Sequence, residues 1–356
     1  MENDENKLYG AERFKEDNCR KWYNPVNPNE NVYTPGYGFS PHSPRLIERK
    51  MISACCAGIV MCLMAQFFIS GELPYIVLNL FDRFFPPVNY PHLMDISYQL
   101  SMAVGVIGAL TVPFLIYAKI IKMPRAYAFP SKGLSVKLLI NIVFIALAVS
   151  VVGSISIEMF YRIFEGIGIH FYSAEIEMPG EIVAKIIFVL NITLIPAVFE
   201  ELAFRGVVMQ SLRRFGDGFA LIVSSALFAL VHVMPLQMPN AFLMGLVIGY
   251  FVMFTGSIYT GIIIHLVHNT LITAISQTTW LNSAELEFMW ACLQVVYLVL
   301  GIISCIYMMK NYKNIFTFPL SKTANSQGQK LAGFFFTIPF FIFMVVVIYL
   351  ARGCVV

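Results

Sequence analysis

Residues 182–206 read IVAKIIFVLNITLIPAVFEELAFRG, and the class of the protein follows from them. Before Glu200 the run is apolar, and its one charge, Lys185, stands near the start, where a long side chain can reach the interface. An α-helix needs about 20 apolar residues to cross the hydrocarbon of a bilayer, where each peptide group must find its hydrogen bond within the protein. Strands of a closed barrel are shorter and alternate in polarity. The stretch therefore predicts a transmembrane helix over 182–204.

Similar runs lie near 51–71, 97–118, 137–158, 218–235, 240–256, 258–277, 287–309 and 331–350. Together they predict an all-α, polytopic membrane bundle of about nine transmembrane helices across 51–350. A polar segment, 1–50, is expected to form a flexible N-terminal tail, because its Asn-, Pro- and Tyr-rich composition offers little apolar surface to bury. A short tail, 351–356, closes the chain. Composition agrees: 58% of residues are hydrophobic and 13% charged, and mean hydropathy is +0.71, well outside the range of soluble domains. The cysteines form no CxxC pair and mostly sit in apolar runs, where they act as small hydrophobes.

Charge placement sets an orientation. Arg45, Arg49 and Lys50 precede the first run, and Lys119, Lys122, Arg125, Lys132 and Lys137 fill the second connection. Arg213 and Arg214 lie in the fourth connection, and Lys310, Lys313, Lys322 and Lys330 in the eighth. The connections between hold mainly acids, such as Asp82, Asp95, Glu165, Glu177 and Glu285. The positive-inside bias then predicts a multi-pass protein, of the plasma membrane, with a cytoplasmic N-terminus. A net charge of +3 without a basic stripe gives no nucleic-acid surface.

An ionisable group in the bilayer interior costs about 2.5 to 3.5 kcal/mol on insertion scales, so each needs a partner or a task. Here they cluster: Glu200, Glu201 and Arg205 after the fourth run, His232 at the end of the fifth, and His265 and His268 in the seventh. On a helix Glu201 and Arg205 are one turn apart and can pair, while Glu200 points about 100° away and stays available. Phe228 lies one turn before His232, and Asn269 one turn after His265. The turn signal Phe215-Gly216-Asp217-Gly218 predicts a helical hairpin. Glu200 and His232 are each 16 residues from Gly216, which sets them level across it. A bland alternative exists for each segment alone: an ion-pair cluster at a span end, a satisfied core histidine, or polar glue between helices.

In chain order, Glu200-Glu201-x-x-x-Arg205, Phe228-x-x-x-His232 and His265-x-x-x-Asn269 resemble the three motifs of the CAAX prenyl protease and bacteriocin-processing (CPBP, or Abi) family of intramembrane endopeptidases. The resemblance covers about 180–275, the expected catalytic core in the fourth to seventh spans. It implies that Glu200 activates water, that His232 holds that water, and that His265 with Asn269 supports the oxyanion. Glu201, Arg205, Phe228 and His268 would support them. The residue types suit the chemistry, since peptide hydrolysis needs a base, a fixed water and donors aimed at the tetrahedral oxygen. A zinc ion held by Glu200, His232 and His265 and a metal-free glutamate mechanism both remain open, although no HExxH is present. The implied partner is a membrane-associated peptide or protein met in the lipid bilayer: a prenylated C-terminal peptide, a bacteriocin precursor or a membrane protein's span all fit. A different class of function is a carrier or scaffold in which the same Glu and His residues relay protons or cations.

Overall fold

The computed structural model describes residues 31–34, 38–41, 43–90, 93–171, 177–278, 282–312, 315–316 and 323–354. Most of the expected flexible tail, 1–30, lies outside the described residues. Its remainder holds a two-stranded antiparallel hairpin, β1 (Asn31–Thr34) and β2 (Gly38–Pro41). The rest is helical, as expected.

Helix α1 (Pro44–Phe84) begins seven residues before the expected span, because Ser43 caps Leu46 N and Pro44 stands where a missing N–H costs nothing. It packs along α2 (Met94–Ile120). The short α3 (Arg125–Ala128) follows, then α4 (Val136–Glu165). A long broken helix comes next: α5 (Ile182–Ile192), α6 (Leu194–Glu201), a π-helical turn (Leu202–Val208) and α7 (Met209–Arg213). The break at Thr193 has a local cause, since Pro196 has no N–H for the carbonyl of Ile192. Helices α8 (Asp217–Leu230), α9 (Met238–Thr255), α10 (Ile258–Ser276) and α11 (Ser283–Asn311) follow. The chain ends with α12 (Gln327–Phe335) and α13 (Ile338–Ala351), bent by 63° at their junction.

The expectation of nine spans needs correction. Among the described residues seven helices are long and apolar enough to cross a membrane, or eight if α12 and α13 count as one span. The expected fifth span, 218–235, is the 14-residue α8, which at about 1.5 Å per residue falls short of a bilayer about 30 Å thick. Pro235 prevents its extension and Pro239 starts α9. A half-length helix is tolerable at that depth because protein surrounds it: Phe219, Ala220, Val223 and Leu227 are fully buried.

Candidate active site

Glu200 and Glu201 end α6, and their helix widens at once into the π-helical turn that carries Arg205. Such turns are frequent at functional sites. Arg205 donates from Nη1 to Glu201 Oε1 at 2.8 Å with both side chains buried, 1% and 0% exposed. The Arg205 guanidinium also lies 4.2 Å over the ring of Phe228, a favourable cation–π contact when desolvated. Glu201 is thus consumed by structure, as its one-turn spacing from Arg205 suggests.

The chain reverses at Gly216, whose φ of 125° only glycine adopts without strain. Arg213 and Asp217 pair across the turn at 2.8 Å. Helix α8 brings Phe228 under Arg205 and ends just before His232. The His232 Nδ1 lies 2.7 Å from the Phe228 carbonyl; a carbonyl only accepts, so this nitrogen carries the proton and Nε2 keeps its lone pair in the neutral ring. The next residue, Val233, sits at φ 62°, an unfavourable region for a β-branched side chain, and strain of this kind gathers at functional sites.

Helix α10 supplies the third part. The His265 Nδ1 donates to Glu201 Oε1 at 2.9 Å, and its Nε2 stands 3.9 Å from Glu200 Oε2. One imidazole therefore bridges the buried carboxylate and its neighbour. The Phe228 ring meets both histidines edge-on, with centroids 4.9 Å from His232 and 6.0 Å from His265. Gly261, one turn before His265, lets α10 come this close: a β-carbon there would stand 2.8 Å from Glu201 Oε2.

A cavity of about 530 Å³ joins these groups, lined by Glu200, Phe228, His232, His265, His268 and Asn269. Glu200 keeps 22% of its side chain exposed, whereas Glu201 and Arg205 lie behind the wall. Among the described residues no group of three His, Cys, Asp or Glu side chains is placed to hold a metal ion, so Glu200, His232 and His265 do not form a ligand set in this arrangement.

Residues 182–271 match the family model described as type II CAAX prenyl endopeptidase Rce1-like. In that segment the chain is similar to CAAX proteases. Neither a curated protein nor a solved structure matches the chain. The matched segment runs from α5 into α10 and so contains every site residue named above.

Several cavity residues had no signal in the motifs. Asn191, Gln237, Asn240 and Thr273 also line it, and Asn191 is held by two donations from Nδ2 to the Gln99 backbone and side chain, at 2.8 and 3.1 Å. Carboxamides on otherwise apolar helices were the available clue. The bond between Glu201 and His265 was not legible, because 64 residues separate them.

Proposed function

We propose that the protein is an intramembrane endopeptidase that hydrolyses a peptide bond of a membrane-associated substrate with a water activated by Glu200. The observation that carries this is the unequal fate of two adjacent carboxylates: Glu201 is buried between Arg205 and His265, while Glu200 faces the cavity.

A bound water would give a proton to the Glu200 carboxylate as its oxygen adds to the substrate carbonyl carbon. The Nε2 lone pair of His232 suits it to accept the other hydrogen of that water and fix its direction. The oxyanion would form beside the Asn269 carboxamide, whose Nδ2 donates, and beside His265 Nε2, which donates when the ring held through its Nδ1–H by Glu201 is the doubly protonated imidazolium. Collapse of the tetrahedral centre breaks the C–N bond, and the proton held by Glu200 passes to the leaving nitrogen. Glu201 and Arg205 position His265 and Phe228.

Glu200→Gln tests the reading. It keeps side-chain size but removes the base, so turnover should fall by about 10²-fold or more while the detergent-solubilised protein keeps its melting temperature. Near wild-type cleavage by this variant would refute the role. The carrier reading finds less support: fully buried Phe204, Val207, Val252 and Phe254 fill the bundle on one side of the site with apolar side chains, where a relay would need polar groups.

A further inference from the structure

The two ends of the bundle differ in charge, and the residues that line the cavity are not placed evenly between them. Four cross-links gather the basic connections at one end. Asn325 donates to Glu48 and to the Arg45 carbonyl, and Lys330 donates to the Phe215 carbonyl at the hairpin turn. Ile258 N donates to the Pro130 carbonyl, and Phe316 N to the Tyr250 hydroxyl. The start of α1, the 121–135 connection, the Arg213 turn, the α9–α10 turn and the α11–α12 connection therefore share an end. Among the described residues flanking the helices, the opposite end holds only Arg83, Arg162, Lys185 and Arg352 as fixed cations, against acids such as Asp82, Asp95, Glu165, Glu177, Glu285 and Glu287.

Towards the basic end, protein packs closely beside the site. Phe129 and the Ala128 carbonyl pack on Gly206, where a β-carbon would stand 2.7 and 3.1 Å from them, and Ser131 bridges to Ser257 beyond. Towards the acidic end the lining runs through Asn191, Gln237, Asn240 and Thr273. These residues stand at the late end of α5, before and at the start of α9, and at the late end of α10. Gln237 and Ile272 are exposed there.

We infer that the basic end is cytoplasmic and that the cavity opens to the opposite face, so the substrate is an apolar, extended peptide segment presented on the non-cytoplasmic side. The mouth suits such a segment. Its carboxamides can pair with a peptide backbone, Ile157, Ile192 and Met244 offer apolar contact, and no fixed cation lines it. Lipid-modified tails held at the cytoplasmic surface would meet the packed end. The choice of substrate rests on the peptidase reading; the direction of opening does not.

The test is thiol labelling in intact cells with a membrane-impermeant maleimide, in full-length protein carrying Cys19→Ser and Cys354→Ser. Gln237→Cys at the mouth and Ser283→Cys at the same end should label from outside. Lys132→Cys at the opposite end should label only after permeabilisation. External labelling of Lys132→Cys, or labelling of Ser283→Cys only after permeabilisation, overturns the orientation. Labelling of Ser283→Cys but never of Gln237→Cys overturns the open mouth. Labelling needs no substrate, so these outcomes stand apart from loss of the peptidase reading, which Glu200→Gln decides.

Discussion

A rotation of about 100° along the helix separates Glu200 from Glu201, and it sends one carboxylate to the cavity and the other into protein. Spacing makes the Arg205 pair expected; what spacing does not show is that Glu201 also receives His265. The consequence is that Glu201→Gln should affect both stability and chemistry. It leaves the buried Arg205 without a countercharge, a loss of about 3–5 kcal/mol, and it loosens the imidazole beside Glu200. Thermal unfolding in detergent together with turnover per folded molecule should show both losses. A variant with normal stability and no turnover would mean that Glu201, not Glu200, is the base. Glu200→Gln should show the reverse split, with stability kept and turnover lost.

Elements meet at this site through small residues. Helix α10 approaches α6 at Gly261, where an added β-carbon would stand 2.8 Å from Glu201 Oε2 and 2.9 Å from Val252. Gly261→Ala should therefore push the carboxylate or the helix aside, and a displacement near 1 Å at a catalytic group can cost about 10²-fold in rate. Gly218→Ala is the control, since only Gln327 Nε2 comes near, at 3.7 Å, in the first turn of α8. Kinetics of the pair at matched folded concentration should separate them, with loss confined to Gly261→Ala. Equal turnover of the two variants would show that the α6–α10 approach does not matter to the reaction.

On the scale of the whole molecule, the long helices divide into those that line the cavity and those that wrap it. Helix α11 packs on α4 but contributes no cavity residue. A β-carbon at Gly301 would run into Ala148 and stand 3.0 Å from the Phe144 carbonyl, so a larger side chain must part the two helices. Gly301→Val should lower stability by about 1–3 kcal/mol through overpacking and leave turnover of the remaining folded protein near wild type. A thermal melt with a per-molecule activity assay checks both halves of that statement. Activity lost beyond the folded fraction would mean that α11 shapes the site.

Much of this could be read from residues alone, because lipid is an unforgiving solvent. An apolar run of about 20 residues has no alternative to a helix there, and an embedded charge is rare enough to mark a site by itself. By that logic the segments bearing Glu200, Arg205, His232, His265 and Asn269 were evident, as was the reversal at Gly216. Three things waited on tertiary structure. Helix α8 is too short to span, which depends on the protein that surrounds it. Glu201 bonds His265 and Phe228 lies beneath Arg205, contacts between distant segments that no periodicity encodes. The packing of Phe129 and the Ala128 carbonyl on Gly206, and the exposure of Gln237 in the cavity lining, likewise arise only when distant segments meet. Local sequence sets which groups must leave lipid, and only the meeting of helices decides which partner each of them finds.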